Sequence, residues 1–348
     1  MKYPANLNKG DIIGVTAPSA GIVKEKDIPK LDNVKPNLEC LGYRYIETEN
    51  VRTDENGRSS SGSKRAKEFM SLYENKDVKA IISAAGGDFM PEILDYLDFE
   101  KIKTLEPKWF MGYSDNTNLT YILPTMCDIA TIYGSNIKSF GVRDMERSEK
   151  DALRLMSGEE IVQESFEKCE ENWYIKLLNG EETEDLLDPL AGDIYNDTVE
   201  WKNLNGEKKI TFEGRCIGGC FDVVVNLIGT KFDKVKEYID RYKADGIVWF
   251  LEVFEMSTPM ILNRLWQMKN SGYFESCKGV IFGRSLMVRV DYDMEVKDAL
   301  KTIFNELSIP VIYDADVGHL APSINIVTGS IIKVESENGK GKIETFFR

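Results

Sequence analysis

The chain has 348 residues, 42% hydrophobic and 29% charged, the balance of an ordinary globular protein with room for two domains. Its 58 acidic against 44 basic side chains give a net charge of −14 with no extended basic run, which argues against nucleic acid as a partner. The amino-terminal MKYPANLNKGD lacks the apolar core of a signal peptide, and 247–254, the most apolar stretch, is too short for a bilayer, so a cytoplasmic protein with no membrane partner is expected.

In chain order, 11–17 (DIIGVTA) predicts a strand stopped by Pro18-Ser19-Ala20-Gly21. Apolar residues at helical spacing predict a helix over 27–41, and 43–46 a second extended piece. A further helix starts at an N-cap of Ser61 or Ser63 and runs to about Asn75. The run VKAIISA (78–84) is a strand leading into Gly86-Gly87, and 91–97 is helical. A short strand at 109–111 ends at Gly112-Tyr113-Ser114-Asp115 and is followed by a helix over 116–123. Strand–helix alternation with short connections predicts a parallel α/β sheet over 1–150, with Gly86-Gly87 and Ser114 at the carboxyl ends of its strands, where ligands bind in such sheets.

Residues 151–211 are polar and acidic, with isolated aromatics at Trp173, Tyr195 and Trp201, and read as a connector carrying a surface excursion. A second domain is expected over 212–348. Its strands are predicted at 214–217, 246–251, 279–282, 311–313 and 330–334, and its helices at 221–229, 232–243, 258–270 and 293–307. Six scattered cysteines suggest reduced thiols rather than a disulfide framework. The C-x3-C pair Cys216 and Cys220 has no second pair or nearby histidine to complete a metal site, so no metal is expected.

His319 is the single histidine, so any serine or cysteine hydrolase with an imidazole base must use it. It stands in DADVGHLAP, directly after a predicted strand. Ser114, on a strand-to-helix turn, is the candidate nucleophile, because such a turn exposes the hydroxyl beside backbone N–H groups. The G-x-S-x-G pattern is incomplete, since position 116 is Asn, and a plain turn with Ser114 or Asp115 as helix cap is an equal reading. Gly86-Gly87 permits close approach of backbone to a substrate oxygen. Glu252 ends a very apolar strand, where a carboxylate needs a partner such as an imidazolium, with Glu255, Asp314 and Asp316 as competitors.

The blocks KGDIIGVTAPSAG, SKRAKEFMSLYENKDVKAIISAAGG, WFMGYSDNTNL, CIGGCFDVVVNLIGT, FLEVFEMSTP and DVGH resemble, in order and over nearly the whole chain, the LD-carboxypeptidase family. That family includes the muramoyltetrapeptide carboxypeptidases and the microcin C self-immunity peptidases. The resemblance implies a flavodoxin-like α/β nucleophile domain plus a smaller β-rich carboxyl-terminal domain, in a homodimer, with no cofactor. It implies a triad of Ser114, Glu252 and His319, and an oxyanion hole from the backbone of Asp115 and of Gly86 or Gly87. AAGGDF in place of an Arg-Gly-Gly-Tyr-like segment, Ser135 after Tyr133-Gly134, and Cys220 where asparagine is common are departures that bear on substrate. The excursion and AAGGDF look closer to the microcin-immunity branch, where Trp173 or Trp201 could stack on an adenine. The expected activity is hydrolysis of a small peptide-like amide, such as the bond to the terminal D-alanine of a murein tetrapeptide. The alternatives are cleavage of an aminoacyl-nucleotide conjugate and, in another class, noncatalytic binding of a small ligand.

Overall fold

Five short extended runs build a parallel sheet from the first part of the chain: β1 (Ile12–Thr16), β2 (Arg44–Glu47), β3 (Val78–Ser83), β4 (Trp109–Gly112) and β5 (Thr131–Tyr133). Their order is β2-β1-β3-β4-β5, the flavodoxin-like arrangement, and Ile326–Thr328 adds an antiparallel strand beside β5. β1 is buried along its whole length, as expected of a strand covered on both faces. The helix Gly62–Glu74 turns Ala66, Phe69, Met70 and Tyr73 inward, a spacing that makes one apolar face. Phe69 meets Phe110 of β4 edge to face at 5.7 Å, which seats that helix beneath the strand carrying Ser114.

The computed structural model describes residues 1–181 and 188–348. The described chain divides into two units, one built mainly of Met1–Glu159 with Asn325–Thr328, the other mainly of Asp193–Ile324 and Gly329–Arg348. The second unit holds an eight-stranded mixed sheet of β6 (Val162–Glu164), β7 (Lys202–Asn203), β8 (Lys209–Cys220), β9 (Ile247–Glu252), β10 (Cys277–Gly283), β11 (Val311–Ala315), β12 (Ile331–Glu337) and β13 (Lys340–Phe346). Their order is β6-β13-β12-β8-β9-β10-β11-β7. β9 lies between parallel β8 and β10 with all six residues buried, so IVWFL is apolar on both faces and Glu252 stands at its carboxyl end. In antiparallel β12 and β13 alternate residues are buried instead. The turn joining them is Asn338-Gly339, both at positive φ (51° and 80°), as a two-residue hairpin requires.

The 151–211 segment departs from its reading as a surface excursion. It contributes β6 and β7 to the second sheet, and Val199, Trp201 and Leu204 are core residues. With this segment joined to it, the second unit about equals the first in extent rather than being the smaller. The helix expected over 91–97 stops at Leu94. A further helix, Phe99–Thr104, begins at Asp98, whose side chain accepts the Lys101 N–H at 2.9 Å.

Candidate active site

Ser114 stands two residues past the end of β4 and has φ +63°, a left-handed conformation that a non-glycine residue adopts only when its surroundings hold it there. Asn116, the residue that breaks the G-x-S-x-G pattern, is what holds it. Its Nδ2 donates to the carbonyls of Tyr113 (3.1 Å) and Ala85 (3.0 Å) and to Asn136 Oδ1 (3.1 Å). A Cβ at Gly112 would lie 2.9 Å from the Asn116 side chain, so the glycine at that point makes room for the amide brace.

The loop after β3 packs against this turn. A Cβ at Gly86 would stand 2.9 Å from Ser114 Oγ, so the backbone of Gly86 lies directly beside the hydroxyl, while Gly87 (φ +148°) is crowded by Ser19 and Ala20. Asp115 ties these pieces together. Its Oδ2 accepts from the Ser19 hydroxyl and from the Met90 N–H (2.8 Å), and its Oδ1 from Asn118 Nδ2 (3.0 Å). Buried Arg65 donates to the Pro18 carbonyl (2.9 Å) and the Phe89 carbonyl (3.1 Å), fixing the same two loops from the other side. Thus Ser114, Asp115, Gly86 and Gly87 come together at the carboxyl edge of the first sheet. Neither Ser19 nor Arg65 stood out in the sequence, because nothing local marks a serine or arginine as a brace.

Burial pushes the Asp115 carboxyl up from its usual 3.8 to about 6; the Ser19 and Met90 hydrogen bonds and Arg65 pull it down, and Asp88 raises it. Between pH 4 and 6 the folded chain therefore holds a proton that the unfolded chain has released. Stability falls as pH rises through that window and levels off above it. Asp115→Asn removes the titration. The variant's stability relative to wild type is expected to improve by about 2 kcal/mol between pH 4 and pH 7, measured by denaturant unfolding. A difference that stays constant over that range would refute the raised value.

In the second unit, Glu252 is fully buried and its Oε2 lies 2.9 Å from His319 Nδ1. The close approach depends on glycine. Gly318 has φ +121°, and a Cβ there would sit 2.8 Å from the Glu252 carboxylate. The Phe254 ring lies 4.7 Å from the imidazole, centroid to centroid. Asp222, which the sequence did not single out, braces the turn leaving Glu252. Its carboxylate accepts the Phe254 and Glu255 N–H groups, each at 2.9 Å, while burial raises its pKa. Of the competitors for the imidazole, Glu255 is exposed at that turn, Asp314 pairs with Lys202 at 2.9 Å, and Asp316 lies buried on the far end of the loop with Trp201.

Trp201 does not present a stacking face. It is only 2% exposed, its Nε1 donates to Asp316 at 3.1 Å, and a Cβ on Gly341 would run into its ring. Its buried faces reflect its place beside β7 in the sheet. Trp173 is 37% exposed and opens the short helix Trp173–Leu178. Just before that helix, Asn172 Nδ2 donates to the carbonyls of Ser285 (3.2 Å) and Leu286 (2.9 Å).

A serine on a strained strand-to-helix turn, and a histidine bound to a buried carboxylate, are each arrangements that serine hydrolases use. The chain belongs to the LD-carboxypeptidase family: that family's N-terminal domain matches residues 13–134 and its C-terminal domain residues 213–334. It is thus an enzyme of the serine carboxypeptidase or amidase class. Among its relatives is a Bacillus subtilis protein named "Probable murein peptide carboxypeptidase", 23% identical over 94% of this chain and 89% of the relative. Another is the microcin C7 self-immunity protein MccF of Escherichia coli, 24% identical over 96% of this chain and 93% of the relative. The solved structure of MccF in complex with glutamyl sulfamoyl guanosine superposes with a TM-score of 0.79 at 21% identity, over 99% of this chain and 98% of that one, a likeness of fold. Among the described residues, no helix is long and apolar enough to cross a membrane.

Proposed function

We propose that this enzyme hydrolyses a small peptide-like amide with Ser114 as nucleophile, His319 as base and Glu252 as the carboxylate that orients it. The observation that carries this reading is the 2.9 Å contact between the only histidine of the chain and a fully buried glutamate. A carboxylate on Nδ1 fixes the tautomer in which the Nε2 lone pair accepts the serine proton, and it stabilises the imidazolium that follows. Ser114 Oγ attacks the carbonyl carbon, and the carbonyl oxygen becomes an oxyanion. The backbone N–H groups of Asp115 and of Gly86 or Gly87 are the proposed donors to it, supported by the packing of Gly86 on the Ser114 hydroxyl. One such donor contributes roughly 3 kcal/mol to the barrier. His319 then passes its proton to the leaving amine, and water repeats the attack on the acyl-enzyme.

For substrate, the proposed reaction is release of the terminal D-alanine of a murein tetrapeptide, in keeping with the name of the B. subtilis relative. The exposed Trp173 favours a second reading, an aminoacyl nucleotide with its base stacked on the indole, and two of the MccF structures hold aminoacyl sulfamoyl nucleosides. The proposal places the enzyme in the cytoplasm, and takes it to be a homodimer, as the family resemblance implies for the assembly. Parallel assays on murein tetrapeptide and an aminoacyl sulfamoyl-adenosine decide the substrate. D-Alanine release supports the first reading, cleavage of the nucleotide conjugate alone supports the second, and neither activity would leave the family's chemistry without a substrate here.

A further inference from the structure

The loop carrying His319, residues 316–322, has no helix or strand of its own, yet its imidazole must be held to within about 0.5 Å to work as a base. Arg284, the residue immediately after β10, supplies the constraint. Its Nη2 donates to the carbonyls of Leu320 and Pro322, each at 2.9 Å, and lies 3.3 Å from Asp316 Oδ1. One guanidinium therefore grips the chain one and three residues after His319 and the carboxylate three residues before it. Asp316 is fully buried and serves as the hub. Its Oδ2 accepts the Phe166 N–H at 3.0 Å and Trp201 Nε1 at 3.1 Å, and its carbonyl accepts the Ile324 N–H at 2.7 Å. Ser323 Oγ closes the loop on itself, accepting the Gly318 N–H at 3.1 Å.

A buried carboxylate without a countercharge is costly, whereas a hydrogen-bonded pair of charges in a low-dielectric site is stiff. We propose that Arg284, bridging Asp316 to the carbonyls of Leu320 and Pro322, is a positioning residue that keeps the His319 ring in line with the Glu252 carboxylate. Trp201 acts in the same network as a fixed donor, which explains why an aromatic from the 151–211 segment is buried against this loop. The inference rests on His319 being the base.

Arg284→Lys keeps a positive charge, but the lysine side chain ends one bond short of Nη2, the single nitrogen that reaches both carbonyls and the Asp316 carboxylate. The expected result is a fall in kcat of roughly 10- to 100-fold with KM within about twofold. Because His319 is the only histidine, its Cε1–H resonance reports the setting of the base directly, and that resonance is expected to move in Arg284→Lys. Wild-type kcat together with an unmoved His319 resonance overturns the inference, even if the variant melts earlier. His319→Gln separates the two layers. Retained activity in that variant defeats the assignment of the base, whereas an inactive His319→Gln beside a fully active Arg284→Lys defeats only the role of Arg284. If Arg284→Lys does not fold, Trp201→Phe, which deletes one donor to Asp316, carries the test. A moved His319 resonance then supports the network and an unmoved one overturns it.

Discussion

Ser114→Ala is expected to lower kcat by at least four orders of magnitude while leaving substrate affinity close to wild type. The hydroxyl has no substitute within the turn. Asp115, its neighbour, spends its carboxylate on the Ser19 hydroxyl, the Met90 N–H and Asn118, so it is committed to structure. Alanine also removes little from the packing, because the braces around position 114 run through Asn116 and Asn136 rather than through the serine side chain. The positive φ is a cost that serine and alanine share, so stability is expected to stay within about 1 kcal/mol of wild type alongside the loss of activity. Steady-state kinetics and isothermal binding of a slow substrate measure the two effects separately. Turnover within tenfold of wild type would remove Ser114 from the chemistry.

Glu252→Gln is the second large effect, with kcat expected to fall by about 10³ to 10⁴. Glutamine has nearly the same shape, so Gly318 and Gly283 still clear it, and the backbone of β9 has no reason to move. What changes is the hydrogen bond. A carboxylate oxygen can only accept, which forces the proton onto Nδ1 of His319; an amide can present its N–H₂ instead and reverse the tautomer, leaving Nε2 protonated when it must accept. The imidazolium formed during the reaction also loses its countercharge. Stability is expected to change little or to rise, because the substitution removes an ionised group from a site with no solvent exposure. A variant that is both inactive and unfolded would point to a structural rather than an orienting role, and circular dichroism with thermal melting distinguishes the cases.

Much of this architecture was legible in the chain. The runs DIIGVTA, VKAIISA and WFMG pair in parallel, and IVWFL, apolar on both faces, could only be an inner strand. The candidate residues were visible for the same reason: one histidine after a strand, one serine after a short strand, one carboxylate ending an apolar run. What was missed depends on partners distant in sequence. Asp222 and Arg284 look like ordinary surface charges until the turn at 254–255 and the loop at 316–322 fold against them. Trp201 read as exposed because its flanks are polar, whereas its fate is set by Gly341 and Asp316, more than a hundred residues away. The hairpin that adds β13 is a different kind of omission. Asn338-Gly339 between alternating residues is a local signal, and it was available from the start.

The 151–211 segment also bears on how the second sheet avoids pairing with other molecules. β6 borders β13 at one margin of the second sheet, and β7 borders β11 at the other. Both margins are thus closed by very short strands from the same stretch of chain, three residues on one side and two on the other. A sheet margin with unpaired N–H and C=O groups is a template for pairing with another molecule, and short terminal strands are a common guard against it. Trimming residues 160–204 to make a minimal enzyme would uncover β13 and β11 together. Light scattering of such a shortened protein is expected to report concentration-dependent aggregation, because the stretch that decorates the sheet also insulates it.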